Sequence, residues 1–220
     1  MPNVKIYGGF LVTALTSKTT GWLALGIGIT SVIGVALLFI FLTGYFTNQY
    51  QLEKFGTYSD IAGIFPPIFS TILGTTIYLS QRDSSPKPGF LYLIGVWIGT
   101  ALILYGAWLI VTGSGGLVKQ GSYHSFGYGL IGLWLLRLNS NAGKKKIFPP
   151  LLSRLGLVSS AIMLVGLLGI YGIVLNLDGD APTPFLTAMG GISFIGQGIL
   201  YPIWCFTLGC WILSNNREVG

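Results

Sequence analysis

Residues 21–46 read GWLALGIGITSVIGVALLFIFLTGYF, an apolar run with no charged side chain anywhere in it. A helix rises about 1.5 Å per residue, so about 20 apolar residues cross a hydrocarbon core about 30 Å thick. The run is longer than that. It also exceeds the roughly 9–11 residues of a membrane-spanning strand, and its apolar residues are continuous rather than alternating, so it reads as a helix.

Five further blocks of the same kind follow, over residues 58–80, 88–112, 121–138, 149–175 and 184–213. Hydrophobic residues make up 52% of the chain and charged ones 8%. Soluble domains carry about 25% charged residues, so too little charge is left here to cover a water-facing surface. The fold class expected is all-α: a polytopic transmembrane helical bundle of six helices. It forms a single transmembrane domain over residues 1–220, with residues 1–20 as a cytoplasmic N-terminal segment. The block at 121–138 is the weakest, with Ser122, His124 and Ser125 in its first turns.

Charge sets the expected orientation. With six spans, both termini, the second loop and the fourth loop share one side. That side holds Lys5, Lys18, Arg82, Lys87, Arg137, Lys144, Lys145, Lys146, Arg154 and Arg217, against Lys54 and Lys119 on the other. By the positive-inside rule the first set is cytoplasmic, giving an N-in, C-in, multi-pass protein of a bacterial inner membrane. A net charge of +6 is accounted for by those loops, and nucleic acid is not an expected partner. Membrane lipids are, together with other membrane subunits or a second copy of the chain. The Lys144, Lys145, Lys146 cluster is a candidate for anionic lipid headgroups, at about 1 kcal/mol per charge.

Glycine is abundant, 33 of 220 residues, which in lipid lets helix backbones approach closely. Gly95 and Gly99 form a GxxxG pair suited to an internal crossing. Cys205 and Cys210 lie five apart in the last span, pointing in different directions, and make neither a disulfide nor a metal site. A short echo links three spans: residues 67–74 (PIFSTILG), residues 202–209 (PIWCFTLG), and a fainter Ile131-Gly132-Leu133-Trp134. All three would run in the same direction, as parallel repeats do in some transporters.

Chemistry is sparse. Every Asp, Glu, Lys and Arg falls in a loop or near a span end, and there is one imidazole, His124. Buried charge is expensive in lipid and marks function when present. An outward-facing cluster of His124 with Asp60, Asp178 and Asp180 is one candidate site; the plain alternative is an interfacial histidine with aspartates capping turns. The second candidate is a pocket between the two proline-broken helices. Ser193, Gln197 and Tyr201 share one face of the sixth span. Pro202 deprives the Gly198 carbonyl of its helical donor, as Pro66 and Pro67 do for Ala62 and Gly63. The plain alternative there is interhelical hydrogen bonding that holds the bundle together. No cofactor is named by any motif, and no metal-ligand cluster is visible.

The segment Gly132-Leu133-Trp134-Leu135-Leu136-Arg137, with Phe148-Pro149-Pro150 and Arg154-Leu155-Gly156, resembles small six-helix bacterial integral membrane proteins grouped as domains of unknown function. The resemblance covers the hairpin between the fourth and fifth spans and the Pro-aromatic part of the sixth. It implies the six-helix fold and no activity.

The functional expectation is a non-catalytic membrane protein, either an accessory subunit of a complex or a binder of lipid or another apolar ligand. The alternatives are a small-solute transporter using the second and sixth helices, and an outward-facing membrane enzyme centred on His124.

Overall fold

The computed structural model describes residues 18–52, 54–81, 86–178 and 183–215, and these form helices without a strand. The helices are α1 (Lys18–Phe46), α2 (Lys54–Gln81), α3 (Pro86–Val111), α4 (Leu117–Lys144), α5 (Pro150–Val174) and α6 (Pro184–Asn215). A single 3-10 turn, Tyr50–Leu52, leads into α2. α5 tightens to 3-10 geometry at Val165–Gly169, and α6 widens to a π turn at Ile195–Leu200. Most of the expected leading segment, up to residue 17, lies outside the described residues, as does Asp180.

Five of the six helices are long and apolar enough to cross a membrane. α4 is not among them, although a span was expected over residues 121–138. Its packing shows why it is polar. Each of the other five helices presents large apolar side chains outward, such as Val32, Phe65, Leu91, Val158 and Ile203, whereas α4 exposes only Leu117 among its described large hydrophobics. Ser122, Ser125 and Asn139 of α4 are buried against protein. A helix wrapped by its neighbours does not face hydrocarbon, so it tolerates polar residues that a lipid-facing helix would not. The apolar outer shell is the reverse of a water-soluble surface, where such patches are small.

Successive helices are antiparallel neighbours, and α6 returns to pack on α1, closing a ring. Within the ring α2, α4 and α6 turn inward and meet. Ser70 of α2 bonds Tyr201 of α6, Gly74 of α2 lies under the Trp134 ring of α4, and Trp204 of α6 bonds Asn139 of α4. These are the three helices that share the sequence echo. Their echoed glycines are used differently. Gly132 and Gly209 take Met163 and Leu25 of outer helices, while Gly74 faces inward.

Glycine sets the closest crossings. A Cβ on Gly127 would stand 2.5 Å from the Gly99 carbonyl oxygen, so α3 and α4 touch backbone to backbone. This gives the Gly95/Gly99 pair its internal contact, carried by Gly99; Gly95 has only the Leu130 carbonyl oxygen at 3.8 Å. Between α4 and α5, Gly166 and Gly169 of α5 meet the Ser125 and Ser122 carbonyls of α4 in the same manner, while Gly172 receives the Ser122 side chain.

The packed core occupies the half of the bundle nearer the Lys144–Lys146 loop. Leu73, Ile77, Leu135, Met163, Trp204, Leu208 and Ile212 are almost fully buried there. In the opposite half α6 leaves α1. Its C-terminal part, Tyr201–Asn215, packs along α1, whereas its first part, Pro184–Phe194, packs on α4 and α5. The π turn lies at the changeover.

Candidate functional site

The π turn has a local cause. Pro202 has no N–H to give the Gly198 carbonyl. A π turn shifts donors one residue on, and the Tyr201 N–H accordingly reaches the Gly196 carbonyl. Gln197 sits inside this turn, about 20 Å along α6 from Pro184 at about 1.5 Å per residue.

Where α6 diverges from α1, a cavity of about 310 Å³ opens between α1, α2, α4 and α6. Its polar lining includes Asp60, Gln120, His124 and Gln197 together with the hydroxyl residues Thr30, Ser31, Ser59, Ser125 and Tyr128; Val35, Leu38, Pro66 and Phe194 supply apolar wall. A second, mostly apolar cavity of about 270 Å³ between α4 and α6 adjoins it, sharing Gly121, Ser125 and Gly190.

The two sets of residues singled out in the sequence thus meet in part. Asp60 and His124 from one set, and Gln197 and Pro66 from the other, line the same cavity. The remaining members lie elsewhere. Tyr201 is fully buried, bonding Ser70 at 2.6 Å and stacking on Trp204. Ser193 is fully buried against Gly166, with its Oγ unpartnered. Pro202 is buried within α6, its carbonyl oxygen 3.2 Å from a Cβ built on Gly28. The Pro67 carbonyl accepts from Thr71 and Thr100, each at 3.0 Å, which ties α2 to α3. Asp178 accepts from the Gly116 N–H at 2.7 Å, capping the start of α4, the role that turn aspartates commonly take. Lys144, Lys145 and Lys146 are exposed at the far end of the bundle.

Within the cavity Gln120 Nε2 donates to Asp60 Oδ1 at 3.3 Å. Ser59 donates to the Gly34 carbonyl at 2.9 Å, and Thr30 to the Gly26 carbonyl at 2.7 Å. The Nε2 of the His124 imidazole is buried without a partner. Gln197 Oε1 is likewise buried and unpartnered. Unpaired polar atoms in an apolar setting cost on the order of 1–3 kcal/mol each, and these two belong to residues that border one cavity.

His124 Nε2 engages neither Asp60 nor a serine hydroxyl. The described residues contain no cluster of His, Cys, Asp and Glu suited to a metal ion. No family model, no curated protein and no solved structure matches the chain.

Sequence reasoning missed Gln120, Ser59, Thr30 and the α1 wall. Gln120 carried a signal, since it falls one helical turn before His124 and shares its face. The α1 residues carried none, because which side of an apolar helix faces a cavity depends on its neighbours.

Proposed function

We propose that this protein is a non-catalytic multi-pass membrane protein that binds a small amphipathic molecule, a lipid or lipid-like compound, in the cavity between α1, α2, α4 and α6. The observation that carries the reading is a cavity of about 310 Å³ that joins apolar wall to a few convergent polar side chains, Asp60, Gln120, His124 and Gln197 among them. Ligand sites combine mostly apolar walls with a few convergent polar groups, in volumes of about 300–1,000 Å³. The divergence of α6 from α1 offers an entrance from the side, where a molecule already dissolved in the bilayer would arrive.

The excess of basic residues in the loops supports a cytoplasmic side for both termini and the lysine cluster, which in this reading sets the cavity in the outer half of a bacterial inner membrane. Lys144, Lys145 and Lys146 then meet anionic headgroups of the inner leaflet. Membrane lipids, further membrane subunits or a second copy are the partners in this reading.

The test is extraction and mass spectrometry of small molecules retained by protein purified in mild detergent. Gly63 lines the cavity and a Cβ there would meet nothing within 4 Å, so Gly63→Leu fills the space. An amphiphile retained by the natural protein and lost from Gly63→Leu is the expected result. Identical extracts from both would refute the reading.

Transport of the same ligand is the second reading. It is favoured by the non-α turn at Gln197 and by Pro66 and Pro67, which weaken the two cavity-lining helices at comparable depth. Gln197→Leu should then abolish flux in vesicles without loss of fold, and unchanged flux would reject it.

A further inference from the structure

We infer that the two adjoining cavities form one seat for an uncharged, single-chain amphiphile with a hydroxyl-rich head. The head lies in the first cavity and the chain in the second. This rests on the binding reading above and specifies its chemistry. The two spaces join: they share Gly121, Ser125 and Gly190. A Cβ on Gly121 or Gly190 would meet nothing within 4 Å, so neither position puts a side chain between them. Their linings differ. Leu117, Val118, Leu186 and Met189 wall the second cavity, and the last three of these are buried. Asp60, Gln120, His124 and Gln197 all belong to the first. An amphiphile is divided in the same way, with its polar groups gathered at one end and its apolar surface at the other.

The polar groups of the first cavity both give and take protons. Among the described residues, the hydroxyls of Ser31, Ser125 and Tyr128 bond no protein group, and their oxygens are not enclosed. The three residues are at most 9% exposed, so the surface those oxygens keep faces the cavities they line. Thr30 and Ser59 have given their protons to the Gly26 and Gly34 carbonyls and keep only acceptor capacity. An ammonium head carries donors alone and would leave the first three hydroxyl protons unmet. An anionic head would meet the Asp60 carboxyl with no Lys or Arg in the described lining to offset it. A hydroxyl donates and accepts at one atom. A head with several of them serves both kinds of partner, where a single alcohol reaches only one or two.

The experiment uses the full chain in nanodiscs of choline-headed lipid. Four decyl probes end in a photoreactive diazirine and carry a glycerol ester, alcohol, amine or carboxylate head. Irradiation followed by peptide mass spectrometry shows where each chain end lies and how much of each probe is bound. The glycerol probe should label Val118, Leu186 or Met189 at least about tenfold more than any other probe. Gly63→Leu, which fills the head cavity, should lose that label. Gly121→Leu, which closes the junction, should move it out of the second cavity. Equal labelling by all four heads, or stronger labelling by the amine or the carboxylate, would overturn the hydroxyl selectivity; if that label is lost in Gly63→Leu, the binding site stands. A glycerol-probe label confined to Val35, Leu38 or Phe194 would overturn the second cavity as the seat of the chain. Labels that are the same in the natural protein and in Gly63→Leu for every probe would overturn this inference and the binding reading together.

Discussion

The hydroxyl groups of Ser70 and Tyr201 lie 2.6 Å apart, and both residues are fully buried. Ser70 spends its own proton on the Pro66 carbonyl at 2.6 Å, so Tyr201 is the donor to Ser70. The chain Tyr201 to Ser70 to Pro66 fastens α6 to the proline-broken turn of α2, just beyond the cavity. It joins two of the helices that border the cavity.

Tyr201→Phe removes one hydrogen bond in a setting without water. The expected loss is about 1 kcal/mol, at the usual scale for polar contacts between membrane helices. A lower unfolding midpoint in detergent measures it. Ser70→Ala should cost a comparable amount, and the double variant should cost less than the sum of the two, because the same bond is removed twice.

Asn139 is fully buried, accepting from Trp204 Nε1 at 3.1 Å and donating to the Leu135 carbonyl at 2.9 Å. Asn139→Leu leaves the indole N–H unpaired and should cost about 1–3 kcal/mol. Adding Trp204→Phe removes the stranded donor. The pair should then be less destabilised than the separate costs predict, which a double-mutant cycle in chemical denaturation will show.

Two glycines of the bundle should respond in opposite ways to alanine. In Gly127→Ala the new methyl would press on the Gly99 carbonyl, a backbone atom that cannot swing aside. Parting α3 from α4 should cost about 1–3 kcal/mol, seen as reduced folded yield and thermal midpoint. Gly63→Ala meets open space, and replacing a helical glycine there should be neutral or stabilising by up to about 1 kcal/mol.

The sidedness of the chain is open to direct labelling. With Cys210 replaced by Ser, Lys145→Cys should react with an impermeant maleimide only in inverted membrane vesicles. Reaction from the outside of intact cells would reverse the proposed orientation. Cys205 is fully buried and should remain silent in both preparations.

Much of the fold was legible because lipid is a demanding solvent. A backbone crossing hydrocarbon must satisfy its own hydrogen bonds, so a run such as residues 21–46 has few structures open to it. The apolar signal is weakest in α4, where Ser122, His124, Ser125 and Asn139 are tolerated because the helix is lined by protein on most sides. Gln197 was legible as a polar residue at depth, and Pro202 as the cause of a local break. Asp178 read as a candidate site residue because a carboxylate at a turn has the same letter whether it caps a helix or meets a ligand. In the structure its oxygen accepts from the Gly116 N–H.

By itself the sequence determined that the chain is a set of long apolar helices with cationic loops, since length and hydrophobicity are properties of each segment alone. Only the tertiary structure decided which helices meet, that α6 parts from α1 at the π turn, and that Asp60, His124 and Gln197 border one cavity. The physical reason is that packing between apolar helices depends on the shape of opposed surfaces. A glycine that admits a backbone, such as Gly99, and one that borders empty space, such as Gly63, are indistinguishable until the neighbouring helix is in place.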